Sequence, residues 1–322
     1  MRSYTALRNL YGVFTQSTST ANLATADGLI NDSIRAIATL RKGNWWWLET
    51  TKDVSTVASQ RAYQIPNSLR KLIDLYVTVG STIYMPDAIH DSDRWKLILA
   101  SQLGESDAPR FYYREGSRVL FAPVPASSSN TITFRGRLNL RDLSIGDYTT
   151  GGILTATNAS TAIVGTGTSW TSAMAGRFIR ITESDTANKG DGFWYEIASV
   201  GSATTLTLTK PYEGTSISAG NAAYTIGQMS PIPESYDIAP VYRAAALYWD
   251  SKGEDKRAQK YWNLYDGGYE SGRLSPDSEP GGLIGQMLQE AAEKVEGPVI
   301  LPFASQSNII NPNYPQPDAS GF

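Results

Sequence analysis

The chain has 322 residues and a net charge of −3, with 28 lysines and arginines against 31 aspartates and glutamates. It has no cysteine, which excludes a disulfide framework, a thiolate metal site and a cysteine nucleophile. Its hydrophobic share of 41% suffices for a sizeable core and two domains, whereas the slightly acidic balance argues against a free-standing nucleic-acid binder, which carries a basic patch.

Along the chain, residues 1–20 read as a polar arm or irregular lead-in. No apolar run approaches the ~20 residues of a membrane span, and the N-terminal stretch lacks the compact apolar segment and small-residue cleavage site of a secretory signal, so none is expected. A helix follows. Leu23, Ala26, Ile30, Ile34, Ile37 and Leu40 recur at steps of three or four and form one apolar stripe. The opposite face, with Asn22, Asp27, Asn31, Asp32 and Arg35, is expected to be wet. Arg41 and Lys42 suit the negative end of the helix dipole, and Gly43 is the expected stop. Trp45, Trp46 and Trp47 come next. In extended chain neighbouring side chains point to opposite faces, so the triplet must be covered on two sides, as at a hinge between a helical and a sheet part.

Strands are expected over Thr50–Thr56, Arg61–Ile65 and Leu69–Ser81, the last rich in β-branched and aromatic residues, with Ser81–Met85 as its hairpin partner. Asp87–Leu103 has the apolar spacing of a short helix. Phe111–Tyr113 and Ser117–Phe121 flank Glu115-Gly116 as a hairpin, and Thr131–Leu140 alternates like a strand with one wet face. Arg135, Arg137 and Arg141 resemble a basic stripe.

From Gly151 to Gly227 the chain is poor in charge and rich in Gly, Ser, Thr and Ala. Strand patterns at Thr161–Val164, Phe178–Thr182, Trp194–Val200, Thr204–Thr209 and Ala223–Ile226 are spaced as in small sandwiches and barrels. Helical periodicity returns at Ser235. Lys252-Gly253 breaks it, a second helix covers Glu254–Tyr269, and Gly267-Gly268 stops that one. Leu283–Val295 fits a third, short helix. Beyond Gly297 five prolines alternate with isolated apolar residues, as in an extended arm laid on another surface. The expected fold is therefore α+β: a helical bundle plus a small antiparallel sheet, with an inserted all-β module and an extended C-terminal arm. The expected boundaries are 1–150, 151–228, 229–280 and 281–322.

Signals of chemistry are weak. The one histidine, His90, has no nucleophile motif to serve. There is no metalloprotease, phosphate-loop or dinucleotide fingerprint, and the acid pairs Asp91/Asp93 and Glu183/Asp185 sit in polar segments. Read as a calcium loop, Asp185–Glu196 places Ala187 and Lys189 where oxygen ligands belong, so it is rejected. No catalytic residue, metal or cofactor is expected. The aromatics, including Trp45, Trp46, Trp47, Trp249 and Trp262, suit core or subunit contacts better than a sugar platform.

Three segments carry a resemblance: the N-terminal helix with GNWWWLETTKDV, the block RAYQIPNSLRKLIDLYV to PRFYYREGSRVLFAPVPASSSNTITFRGR, and SPIPESYDIAPVYRAAALYW with AQKYWNLYDGGY. In pattern and order the chain resembles the head-to-tail adaptor (connector) proteins of tailed bacteriophages, of the tail tubular protein A type. The resemblance implies a virion protein at the neck, assembled in the host cytoplasm. It implies a ring, commonly of twelve copies, between the portal protein and a tail nozzle or tail tube protein, with double-stranded DNA passing through unspecifically. It also implies that a terminal arm, here Val299, Ile300, Leu301, Phe303, Ile309, Ile310 and Tyr314, reaches the portal. Two competitors are weighed. A tail spike or fibre component binding surface glycans is opposed by the absence of repeats and coiled coil, and a glycan hydrolase rests only on acids and aromatics.

Overall fold

The computed structural model describes residues 1–40, 45–101, 108–149, 151–182, 190–268, 270 and 280–296. Two compact units emerge: Met1–Asn44 with Asp142–Val295, and Trp45–Arg141.

The first unit opens with a helix where an irregular lead-in was expected. In α1 (Tyr4–Phe14), Tyr4, Leu7 and Tyr11 share one buried face, and the Ser3 hydroxyl caps the start by accepting from the Ala6 N–H. The segment before α1 is tied down: Tyr4 N–H donates to the Gln228 carbonyl, Ser3 Oγ to Asp147, and Arg2 pairs with the buried Asp237. Helix α2 (Thr20–Thr39), capped by Ser19, buries Ala26, Ile30, Ile34 and Ile37. Asn22, read as wet, is instead buried, because its amide donates to Thr15 Oγ1 and to the Ser17 carbonyl, both at 2.7 Å. Arg41, Lys42 and Gly43 lie outside the described residues.

The second unit begins with the tryptophans. Trp46–Leu48 is a single 3₁₀ turn rather than extended chain, so Trp45 and Trp47 come to one side and stack with centroids 6.1 Å apart. The strands are β1 (Glu49–Ser55), β2 (Ala62–Gln64), β3 (Leu69–Val79), β4 (Thr82–Tyr84) and β5 (Asp87–Ile89). Helix α3 (Ser92–Ser101) then precedes β6 (Phe111–Glu115), β7 (Arg118–Ala122) and β8 (Thr131–Leu138). They form two four-stranded sheets, ordered β1-β8-β3-β4 and β2-β7-β6-β5, where one small sheet was expected. Tyr63, Leu75, Val77, Val119, Phe121, Ile132 and Phe134 make one core shared by both.

Two expectations fail here for the same reason, an unforeseen strand partner. Asp87–Ile89 pairs in parallel with β6, so the helix expected from Asp87 starts only at Ser92. Strand β8 lies between β1 and β3, and Thr133 on its expected wet face is buried, its hydroxyl donating to Asp53 at 2.6 Å.

The first unit resumes with β9 (Ile153–Ala156), β10 (Ala162–Thr166), β11 (Phe178–Ile181), β12 (Trp194–Ser202), β13 (Thr205–Leu208), β14 (Ile217–Ala222) and β15 (Tyr224–Gly227). They make one antiparallel sheet, ordered β14-β9-β10-β13-β12-β11-β15. Alternate residues of its strands, among them Leu154, Ile163, Ile179, Ile197, Leu206 and Ile226, line a single core around Trp170. Strands β9 and β14 had not been read from the pattern, and they pair with each other at one end of the sheet.

Helix α4 (Ala239–Ser251) starts after a 3₁₀ turn at Glu234–Tyr236 that follows Pro233, four residues later than expected. Helix α5 (Asp255–Asp266) ends at Gly267, which takes the left-handed conformation with φ 73° that favours glycine. Helix α6 (Gly282–Glu296) completes the described chain. Helix α4 packs against α1, α2 and α5. The seven-stranded sheet falls in the same compact unit as these helices, whereas the sequence boundaries at 151 and 228 set it apart.

Candidate functional site

The predicted aromatic residues occupy two places. Trp45 is buried and Trp46 and Trp47 are half-buried in the second unit. Trp249 and Trp262 belong to the helices of the first. Trp262 Nε1 donates to Asp250 Oδ2 at 2.7 Å, and its ring meets Tyr265 edge-on. Trp249 Nε1 donates to the Phe14 carbonyl at 3.2 Å, and the Arg257 guanidinium lies 4.5 Å above its ring. Both are therefore anchored within a single chain, and Trp249 locks the end of α1 onto α4. The arm residues Val299, Ile300, Leu301, Phe303, Ile309, Ile310 and Tyr314 lie outside the described residues.

Of the three arginines that resemble a basic stripe, Arg135 is charge-compensated. Arg135 sits at the middle of three adjacent strands, opposite Thr51 on β1 and Asp74 on β3. Its guanidinium reaches Asp74 at 3.0 Å and Glu49 at 3.3 Å. The hydrogen bond to Glu49 and the charge of Asp74 hold it firmly protonated. The two carboxylates compensate this guanidinium, so Arg135 offers no free cation to a phosphate. In the first unit Arg243 pairs with Glu270 through two nitrogens and tethers the chain after α5 to α4.

His90 is exposed. Asp185 lies outside the described residues, while Glu196 is an outward side chain of β12. Among the described residues no cluster of three or more His, Asp or Glu side chains is placed to hold a metal ion. Among the described residues no helix is long and apolar enough to cross a membrane.

The described residues offer several contact surfaces. Several large apolar side chains project into solvent: Val13 at the end of α1, 65% exposed, Met85 after β4, 66%, and Leu97 on α3, 72%. Trp95 is the one buried residue of α3, stacked on Tyr113 at 5.6 Å. Met85 borders a cavity of about 320 Å³ lined by Asp74, Tyr76, Asp87, Tyr112 and Arg135. Isolated exposed apolar residues are ordinary, but Ile73, Ile83 and Met85 lie along one hairpin, β3–β4. A second cavity of similar size opens on the outer face of β11 and β12, beside Phe193. Sequence reasoning missed these residues. Each looks like a core position until the fold shows that nothing covers it.

A family model described as SU10 adaptor protein matches residues 3–279. That span takes in α1, α2, α4 and α5 of the first unit, the two sheets of the second and the seven-stranded sheet, and stops before α6. No curated protein matches the chain.

Proposed function

The chain belongs to the SU10 adaptor protein family, which makes it a phage adaptor and a virion component, and from that premise we propose that it forms a ring between portal and tail through which the genome passes. An adaptor family implies a structural, non-enzymatic role, exercised on other capsid or tail proteins. The finer reading is a connector of the tail tubular protein A type, commonly twelve copies, docked on the portal protein and followed by a tail nozzle or tail tube protein.

The match over nearly the whole chain carries this reading. The exposed apolar side chains support it, since obligate interfaces bury large apolar areas, often 2,000 Å² or more. In this reading the packed helices α1, α2, α4 and α5 form the bundle of the adaptor core, and the seven-stranded sheet is the inserted β module. The net charge of −3 supports a channel that repels phosphates and lets DNA slide. The proline-spaced apolar residues after 297 support an arm that is ordered on the portal.

The test is co-sedimentation of the full chain with assembled portal rings, beside a variant lacking 297–322. Stoichiometric binding of the full chain and loss of it in the shortened chain is the expected result. Equal binding by both removes the arm from the account, and no binding by either removes the portal as partner.

A further inference from the structure

The outer face of the seven-stranded sheet carries a cavity that the adaptor reading does not use. On β11 and β12 the side chains alternate, so Ile179, Ile181, Tyr195 and Ile197 turn inward while Phe178, Arg180, Trp194 and Glu196 turn outward. Pairing sets Phe178 opposite Glu196 and Arg180 opposite Trp194, and the Arg180 guanidinium lies 5.0 Å from the centre of the Trp194 ring. Phe193, just before β12, is 69% exposed. Phe178, Phe193, Trp194 and Glu196, with Thr209, Lys210 and Glu213 beyond β13, border an open cavity of about 320 Å³, the lower end of the size range for small-molecule sites.

The backbone that carries the exposed phenyl group is held in place. Asp191 accepts from the Phe193 N–H at 3.1 Å and from the Tyr195 hydroxyl, and that hydroxyl accepts from the Glu213 N–H at 3.2 Å. One carboxylate and one buried phenol thus tie the Phe193 segment to the Glu213 segment across the cavity. A large apolar ring left exposed on a braced backbone gains no burial energy in the isolated chain.

We infer that this cavity binds a saccharide unit. Phe193 and Phe178 offer aromatic faces, whose negative quadrupole attracts the polarised C–H face of a sugar ring. Glu196 and Glu213 accept hydrogen bonds from hydroxyls, Lys210 donates, and Thr209 does either. Nucleic acid is disfavoured because two carboxylates face its phosphates. A purely apolar side chain is disfavoured because it would strip water from three charged groups and give nothing back. A neutral, hydroxyl-rich ring satisfies both the aromatic and the charged lining. This inference does not rest on the ring proposal: an adaptor subunit or any other virion protein with this sheet has the same cavity.

The experiment is saturation-transfer NMR on the full chain with glucose, galactose and N-acetylglucosamine as probes, each titrated into the millimolar range. Saturable transfer to at least one sugar is expected. Phe193→Ala should weaken it about three- to tenfold, and Glu196→Gln should also weaken it. Both side chains are exposed, so unchanged far-UV circular dichroism is expected for either variant. No transfer to any of the three probes overturns the proposal, as does transfer that is the same in Phe193→Ala. If no sugar binds while Phe193→Ala prevents incorporation into particles, the cavity is a protein contact and the inference fails.

Discussion

Replacing Asn22 tests the helical half of the fold where it departs most from the pattern of the sequence. Asn22 is 7% exposed, and its amide donates at 2.7 Å to both Thr15 Oγ1 and the Ser17 carbonyl, joining α2 to the turn after α1. Thr15 Oγ1 in turn donates to the Tyr11 carbonyl at 2.8 Å. Asn22→Ala removes two bonds worth ~0.5–1.5 kcal/mol each. Asn22 Oδ1 is buried without a partner, so its removal returns part of that, and a net loss of about 1–2 kcal/mol is expected. Asn22→Asp should be worse. It sets a carboxylate oxygen against the Ser17 carbonyl and a hydroxyl already committed to Tyr11. Burial lifts that carboxyl above the ordinary ~3.9. A raised folded-state value means stability present at low pH and lost as pH rises, so the deficit of Asn22→Asp should grow from about pH 4 to pH 7. The assay is urea unfolding followed by circular dichroism at fixed protein concentration, at both pH values. A Thr15→Val double-mutant cycle should give a coupling of at least ~0.5 kcal/mol. Less than ~0.5 kcal/mol lost in Asn22→Ala, or an Asn22→Asp deficit that does not change with pH, would refute the reasoning.

Gly282 has φ 55°, and a Cβ there would lie 2.7 Å from the Leu264 carbonyl oxygen. Gly282→Ala should therefore cost at least ~1–2 kcal/mol in thermal unfolding and release α6 to faster hydrogen exchange, whereas Gly253→Ala, with open space around it, should leave α6 protected. Trp262→Phe removes the bond to Asp250 and leaves space where the larger buried indole packed, so a loss of about 2 kcal/mol is expected in urea unfolding. Burial raises the phenols of Tyr4, Tyr11, Tyr195 and Tyr265 well above the ordinary value and pushes Tyr224 up to about 12. The unfolded chain then sheds protons above pH ~10 that the folded chain keeps, so stability should be unaffected below that pH and fall steeply above it. Absorbance at 295 nm checks this, because these tyrosines should ionise only as the chain unfolds.

The parts legible in the sequence are those whose partner is close or whose pattern is strong. The stripe Ala26, Ile30, Ile34, Ile37 of α2, the hairpin around Glu115-Gly116 and the stop at Gly267 follow from local chemistry alone. Helix α1 was hidden because its buried Tyr4, Leu7 and Tyr11 are diluted by the polar residues that follow, and because its anchors, Gln228, Asp147 and Asp237, lie far along the chain. Strand β5 exists only through β6, and β14, with the sequence ISAGNA, has no alternation to read. The three tryptophans misled because alternation was assumed for a segment that turns. Phe193 reads as one more core aromatic until the fold shows its ring exposed, on a backbone that Asp191 ties down. Charge compensation at Arg135 is invisible for the same reason, since Glu49 and Asp74 meet it only across strands.

The most direct measurement is an image of the neck of the assembled particle with this chain located by a label. The account predicts the label in a closed ring with rotational symmetry, touching the portal on one side and the tail on the other. A label confined to fibres or spikes, or a single copy at the neck, would contradict it.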